Sequence, residues 1–173
     1  MTNFNQMRNN MILGQFLPGL IKNDKILKYF NEIPREKFLP EFCQAVAYSD
    51  LNIKISNQRY IPSPFNTAKI FQEANFLGGE VLLVIGANYG YEVTVASNMV
   101  DTVIAIEEDL SIKEEADKNL KSFNIENIIL INNKHEKGYK KLGPYDTIIN
   151  LEPMDKVNQD LLEQLVDGGK LFY

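Results

Sequence analysis

The sequence has only one cysteine and one histidine among its 173 residues. This excludes a disulfide within the chain and a metal site with two histidine ligands. Cys43 cannot form a disulfide within the chain, so we expect a reducing, cytoplasmic environment. Its neighbours Phe42, Ala45 and Val46 are apolar, which favours a buried, unreactive thiol. His135 has no second histidine with which to bind a metal ion, and we predict no metal site.

Long apolar runs and a strongly basic charge are also missing. Apolar runs such as Val81 to Ile85 are far shorter than the roughly 20 residues that a membrane-spanning helix needs. The first ten residues lack the charged start and apolar core of a signal peptide. The net charge is -5, which argues against a nucleic-acid-binding surface. We therefore expect neither a membrane nor a nucleic acid as a partner.

The chain divides by pattern into a lead-in of helices and a hairpin, residues 1–62, and a body of alternating strands and helices, residues 63–173. The length suggests that both form one domain. In the lead-in, Asn23 is a candidate helix cap, and Leu51 to Ile55 alternates like a half-exposed strand. Ser63 followed by Pro64 predicts the start of a helix, which Gly78-Gly79 is expected to end.

The body predicts a parallel sheet. Its first strand, Val81 to Ile85, is continuously apolar, as expected of a strand covered on both faces. The other predicted strands are 102–106, 128–131, 145–150 and 170–173, and the predicted helices are 91–99, 109–122 and 157–166. Strands that alternate with helices indicate an α/β fold with a doubly wound, mostly parallel sheet.

A turn of small residues, Gly86-Ala-Asn88-Tyr-Gly90, follows the first strand of the body, and a helix follows the turn. Such a turn lets the backbone approach a ligand at the carboxyl end of the sheet. The second strand ends at Glu107, 21 positions after Gly86, a spacing typical of an acid that binds a ribose diol. The G-x-N-x-G spacing favours a methyltransferase loop over the dinucleotide fingerprint. An empty Rossmann-like scaffold is the alternative.

Segments in order along nearly the whole chain resemble the protein-L-isoaspartate O-methyltransferase family. They are Ile33–Pro40, Ala47–Ile55, Val103–Glu107, Gly143–Asp146, Leu161–Leu165 and Gly168–Leu171. The resemblance implies a Rossmann-like, S-adenosylmethionine-dependent methyltransferase fold. It also implies methyl transfer to the carboxylate of an isoaspartyl residue in a protein or peptide, which is a repair reaction.

The resemblance also implies a binding site for S-adenosylmethionine and its product S-adenosylhomocysteine. Its expected members in this chain are Gly86, Asn88, Gly90, Tyr91 and Glu107. Tyr91 matches an aromatic residue that follows the glycine loop in the family, and packing in the first helical turn is an equal alternative.

The chain departs from the family pattern at several polar positions. Val84 stands where the family has an acid, Asn88 replaces the middle glycine, and Asn133-Lys134-His135 replaces Gly-Asp-Gly. At the active-site segment, Pro62 occupies the family's serine position. Ser63 comes one residue later and is the candidate catalytic residue, with a helix cap as its alternative role.

These departures leave several functions open. The first is an active methyltransferase, the second is a catalytically inactive relative that acts as a binding or assembly module, and the third is an enzyme with a changed substrate or nucleoside cofactor. The sequence also stops at Tyr173, inside the family's fifth strand, with two further strands expected in the family. Either this apolar edge pairs with another copy of the chain, or the natural protein is longer.

Overall fold

The computed structural model describes residues 3–56, 59–154 and 156–173. The chain divides into two compact units, residues 1–75 and 76–173. That the whole chain is one domain, with its lead-in ending at residue 62, stays a prediction. None of the helices in the described ranges is both long and apolar enough to span a membrane.

The described part of the first unit contains three α-helices and a short antiparallel strand pair. The helices are α1 (Phe4–Met11), α2 (Asp24–Glu32) and α3 (Pro64–Ala74), and the strands are β1 (Ile53–Lys54) and β2 (Tyr60–Ile61). The strand predicted at 51–55 is therefore shorter than expected.

Caps and aromatic packing explain this helical arrangement. The Asn23 side chain accepts hydrogen bonds from the backbone N–H groups of Lys25 and Ile26, which confirms the predicted cap of α2. The buried rings of Phe16 and Phe30 pack edge to face with centroids 5.1 Å apart, and Phe30 meets Phe71 of α3 at 6.1 Å. These rings form the apolar centre of the unit.

The predicted end of α3 at Gly78-Gly79 is wrong. The helix ends at Ala74, because Asn75 adopts the left-handed conformation with φ 54°. Its N–H still bonds to the carbonyl of Phe71. Asparagine is one of the few residues besides glycine that tolerate this C-terminal conformation.

The second unit is a five-stranded parallel sheet in the order β5-β4-β3-β6-β7. Its strands are β3 (Val81–Ile85), β4 (Thr102–Glu107), β5 (Ile128–Asn132), β6 (Tyr145–Asn150) and β7 (Leu165–Phe172). Its α-helices are α4 (Tyr91–Ser97), α5 (Leu110–Ser122) and α6 (Gln159–Leu162). The chain builds outward from β3 first to β4 and β5 and then to β6 and β7. The predicted doubly wound α/β fold is confirmed.

The centre of the sheet is buried on both faces. Leu82, Leu83, Val84 and Ile85 of β3 are each at most 1% exposed. This explains why the strand is continuously apolar rather than alternating. One cluster on the sheet gathers Leu83, Ile85, Ile104, Ile106, Tyr145, Ile148 and Leu161.

The helix predicted at 157–166 is wrong in its second half. The helix α6 ends at Leu162, and β7 already begins at Leu165, which pairs with Tyr145. Thr147 then pairs with Lys170, so β7 carries three more residues than β6 between these two pairings. The extra residues form a bulge, and Gly168 has φ 77° within it. The glycine pair therefore lies inside the strand rather than ahead of it.

Candidate functional site

The loop after β3 is shaped by left-handed backbone angles. Gly86 has φ 80°, Asn88 has φ 50° and Gly90 has φ 93°. The N–H groups of Gly86 and Ala87 both donate to the carbonyl of Ile106, at 3.0 and 2.9 Å. The structure confirms that Asn88 can adopt the angle of a glycine here, so the turn persists without the glycine.

Glu107, at the end of β4, joins this loop directly. The backbone N–H of Asn88 donates to Glu107 Oε2 at 3.0 Å, and the N–H of Asp109 donates to Glu107 Oε1 at 3.0 Å. The Glu107 side chain is fully buried. A buried carboxylate is stabilised by such N–H donors, so the acid is fixed in place beside the loop.

The end of β5 and the segment after it lie beside the end of β4. Asn132 Nδ2 donates to the carbonyls of Glu107 and Glu108, at 2.9 and 3.0 Å. His135 Nε2 accepts the backbone N–H of Glu108 at 3.2 Å and lies 3.7 Å from Glu107 Oε1. Lys134 is exposed. His135 therefore borders the acid, a position that could not be predicted from the sequence because it depends on two loops meeting.

The start of α4 completes the loop. Gly90 precedes the helix, and a Cβ built on it would lie 3.3 Å from Leu120 Cδ2. Asn119 Nδ2 of α5 donates to the carbonyl of Tyr89 at 2.9 Å. Tyr91 is 1% exposed and packs in the first turn of α4. The structure brings Gly86, Asn88, Gly90, Tyr91 and Glu107 together in one region, while their binding role stays a prediction.

Glu152, which no sequence motif indicated, lies two residues after the end of β6. A Cβ on Gly86 would be 2.6 Å from Glu152 Cγ and 2.7 Å from Glu152 Oε1. The carboxylate thus occupies the side of Gly86 where another residue would carry its side chain. An acid just after a strand is a usable signal, but its contact with Gly86 in the loop after β3 cannot be derived from the sequence.

The chemistry of these groups fits the nucleoside part of S-adenosylmethionine. Each oxygen of a carboxylate has two acceptor lone pairs, so Glu107 can hold backbone N–H groups and also accept ribose hydroxyls. Val84 is buried in β3 and offers no polar group. In the described ranges, no group of three His, Cys, Asp or Glu side chains is arranged to hold a metal ion.

Ser63 lies in the first unit and caps α3. Its Oγ accepts the N–H of Asn66 at 3.1 Å, and its own N–H donates to Asn52 Oδ1 at 2.9 Å. The side chain is 1% exposed. The structure therefore places Ser63 in the capping role given above as the alternative, and a catalytic role for it stays a prediction.

A buried polar network holds the segment before Ser63. Arg35 is fully buried, and its Nη2 donates to the carbonyl of Pro62 at 2.7 Å. The backbone N–H of Arg35 donates to Tyr48 Oη, which in turn donates to Glu36 Oε2. Burial, followed by the hydrogen bond to Glu36, raises the pKa of Tyr48. Two of the segments that resemble the family, Ile33–Pro40 and Ala47–Ile55, meet in this network.

Cys43 is buried, as predicted, and its Sγ donates to the carbonyl of Pro40 at 3.2 Å. Burial raises the pKa of the thiol, although the positive charge of Arg35 lowers it in part. A raised pKa leaves less of the reactive thiolate at neutral pH. The structure thus supports an inert thiol.

Comparison with known proteins decides the family. The family model described as protein-L-isoaspartate(D-aspartate) O-methyltransferase matches residues 6–173. The chain belongs to this family. It is 32% identical over 166 residues to the protein-L-isoaspartate O-methyltransferase of Herpetosiphon aurantiacus. The alignment covers 96% of this chain and 74% of that protein. The corresponding enzyme of Aliivibrio fischeri is 32% identical over 161 residues, covering 92% and 77%.

Solved structures of the family share the fold. A structure of a protein-L-isoaspartate O-methyltransferase aligns with TM-score 0.82 and 28% identity, covering 95% of this chain and 54% of that chain. A Plasmodium falciparum structure of the same description, solved with S-adenosyl-L-homocysteine, aligns with TM-score 0.79 and 20% identity, covering 99% and 83%. The Rossmann-like methyltransferase fold is therefore shown for this chain.

Proposed function

We propose that this member of the protein-L-isoaspartate O-methyltransferase family transfers a methyl group from S-adenosylmethionine to the carboxylate of an isoaspartyl residue in a protein or peptide. The observation that carries the proposal is the 3.0 Å hydrogen bond from the Asn88 N–H to Glu107 Oε2. It holds the glycine loop and the ribose-binding candidate side by side, as nucleoside binding requires.

The acceptor needs no strong general base. A carboxylate with a pKa near 4 is already ionised at neutral pH, so it can attack a methyl group directly. The protein's part is then to align the two reactants and to exclude water. When bound, the cofactor supplies the electrophilic methyl group.

The chain's own residues would divide this work. Glu107 would accept the ribose hydroxyls, and Gly86, Asn88 and Gly90 would shape the backbone against the cofactor. Tyr91 would pack beneath the loop as part of α4. We further propose that the Ser63 hydroxyl acts towards the acceptor.

The inactive binding or assembly module is the second candidate from the sequence. The missing polar groups at Val84 and at the 133–135 segment motivated it. The family match and the intact contact between Asn88 and Glu107 support the methyltransferase instead.

The first experiment is a calorimetric titration with S-adenosylhomocysteine, followed by methylation of an isoaspartyl peptide. We expect micromolar binding by the wild type and a loss of at least about 100-fold in Glu107→Ala, because each lost charged hydrogen bond costs about 1.5–3 kcal/mol. The matched control is Glu126→Ala, which removes an exposed glutamate from the same unit.

Circular dichroism on each variant separates a binding defect from unfolding. If the wild type binds nothing at millimolar ligand, the proposal is wrong and the inactive alternative takes its place. If Glu107→Ala is folded and binds like the wild type, the cofactor site has been assigned to the wrong residues.

We further propose that the protein acts in the cytoplasm and forms a homo-oligomer through β7. The single buried cysteine supports the first point. The second is supported by the position of β7, which is the last strand in the described sheet order, with Leu171 and Phe172 only partly buried. Light scattering on the wild type and on Leu171→Lys tests the pairing, since an unchanged molar mass would contradict it.

A further inference from the structure

Glu152 stands at a special point of the sheet. The strands β3 and β6 are parallel neighbours, and Ile85 pairs with Asn150 at their carboxyl ends. The chain leaves β3 towards β4 on one side, while β6 lies on the other side. In doubly wound sheets, ligands bind where neighbouring connections diverge in this way. Glu152 lies two residues after the end of β6 and so borders that crevice.

The backbone of Glu152 is fixed from two directions. Its N–H donates to Asn150 Oδ1 at 3.3 Å, and Asn150 Nδ2 donates to the carbonyl of Glu152 at 2.8 Å. The N–H of Leu151 donates to the carbonyl of Ile85 at 2.9 Å. Asn150 itself is 5% exposed. This arrangement holds the start of the Glu152 side chain in one place.

The side chain lies against Gly86. Glu152 Cγ and Oε1 would be 2.6 and 2.7 Å from a Cβ at position 86, closer than real Cβ contacts. Glycine at position 86 is thus what allows a carboxylate here. Glu107 reaches the same loop through Asn88, from the end of the neighbouring strand β4. The loop after β3 therefore contacts one acid from the β4 side, Glu107, and one from the β6 side, Glu152.

The two acids suit different parts of the cofactor. Glu107 suits the hydroxyl groups of the ribose. The cofactor has only one ribose diol, so a second carboxylate needs a different partner. It does suit a cation, and the sulfur of S-adenosylmethionine carries a positive charge that S-adenosylhomocysteine lacks. A carboxylate close to a cation in a partly buried site attracts it far more than in bulk water.

We propose that Glu152 is a specificity-determining residue that favours the sulfonium form of the cofactor over the neutral product. This inference rests on the proposed function, since it assumes that the loop binds the cofactor. Its consequence is that substrate is held more tightly than product, which helps the product to leave after methyl transfer. The acceptor is itself a carboxylate, which Glu152 would not attract, so the assignment concerns the cofactor alone.

The test compares three ligands by calorimetry with no acceptor present. They are S-adenosylmethionine, S-adenosylhomocysteine and sinefungin, in which an amine-bearing carbon replaces the methylated sulfur and carries the charge. The proteins are the wild type, Glu152→Gln, Glu152→Asp and the control Glu126→Gln. Glutamine keeps the shape of the side chain and removes its charge, and aspartate keeps the charge.

We expect the wild type to bind both cationic ligands about tenfold more tightly than S-adenosylhomocysteine. Glu152→Gln should lose this preference, while Glu152→Asp and Glu126→Gln should retain it. In the wild type alone, the preference should also shrink as the salt concentration rises, because salt screens the attraction. This second measurement holds even if a variant fails to fold.

The inference is overturned if all three ligands bind the wild type equally, or if Glu152→Gln weakens all three by the same factor. The second result would mean that the charge of Glu152 acts equally on all three ligands, through a group that they share such as the ammonium of the methionine part, and does not distinguish the sulfonium. If the wild type binds none of the three, the proposed function fails and this inference fails with it. Binding of all three without a preference refutes the role of Glu152 and leaves the proposed function standing.

Discussion

At the scale of single residues, the loop after β3 depends on backbone angle more than on side-chain chemistry. Asn88 has φ 50°, a left-handed angle that strains residues with a Cβ. Asparagine tolerates this angle better than most other residues do. Its side chain is buried, and Nδ2 donates to the carbonyl of Gly86 at 3.1 Å. Asparagine therefore serves here as a substitute for glycine that also contributes a hydrogen bond.

This account predicts the order of stability of two variants. Asn88→Ala should be less stable than Asn88→Gly by about 1 kcal/mol, because alanine pays the left-handed strain and glycine does not. Urea unfolding of both proteins measures the difference. Asn98, with φ -82°, is the control position, and there glycine should not be favoured over alanine. Equal stability of the two variants at position 88 would contradict the account.

At the scale of helices and strands, the cap of α3 decides between two roles for Ser63. Ser63→Ala should cost about 1 kcal/mol of stability, whereas Ser63→Gly should cost only a few tenths, because glycine is tolerated at a cap. Both changes remove the hydroxyl. If Ser63 is only a cap, Ser63→Gly should methylate at the rate of the wild type. If the hydroxyl is catalytic, the methylation rate should fall in both variants.

The measurement is the pair of urea unfolding and isoaspartyl-peptide turnover on each variant. Asn23→Ala provides the control, since it removes the cap of α2 in the same unit. A similar stability loss in Asn23→Ala with unchanged kcat would show that lost capping alone does not affect catalysis. A loss of turnover in Ser63→Gly beside an active Asn23→Ala would show that the hydroxyl matters.

The same scale shows what the sequence could predict. The buried strand at 81–85 is predictable because it is continuously apolar, and the helix predicted at 109–122 corresponds to α5, for which Asp109 proves to be the N-terminal cap. The C-terminal helix was overextended, because Leu161, Leu162 and Leu165 also fit helical spacing. What overrides that spacing is the pairing of Leu165 with Tyr145, a contact across 20 positions that no local pattern contains.

The candidate site was predictable to a similar degree. Glycine spacing and a spaced acid identify Gly86, Gly90 and Glu107, because both signals lie within one continuous β–α–β segment that runs from β3 through α4 to β4. His135 and Glu152 became visible only when the ends of β5 and β6 were placed beside those of β4 and β3. Their neighbours lie 28 and 66 positions away along the chain, at Glu107 and Gly86.

At the scale of the whole molecule, two buried tyrosines and the buried cysteine have raised pKa values. They make the free energy of unfolding depend on pH in the alkaline range. Burial, together with Tyr139, raises the pKa of Tyr145 from 10.0 to about 12. The pKa values of Cys43 and Tyr48 are raised as well. Each group is neutral when protonated, so the folded state binds the proton more tightly than the unfolded state does.

The free energy of unfolding should therefore be constant with respect to these groups below about pH 9 and fall as the pH rises further. For Tyr145 the contribution is complete below pH 10.0 and is lost towards about pH 12. Urea unfolding from pH 8 to 11 measures the decline. Tyr145→Phe should make it shallower, while Tyr173→Phe, at a side chain 68% exposed, should leave it unchanged. A decline of equal slope in Tyr145→Phe would refute this assignment.

The hydrogen bond between Asn88 and Glu107 also sets a limit for protein engineering. The acid that is expected to choose the nucleoside also fixes the loop that approaches it, through the N–H groups of Asn88 and Asp109. An exchange of Glu107 for a shorter or a basic residue, made to accept a different nucleoside, would release the loop at the same time. A redesigned cofactor preference therefore has to rebuild the turn and the acid together, as one exchangeable unit.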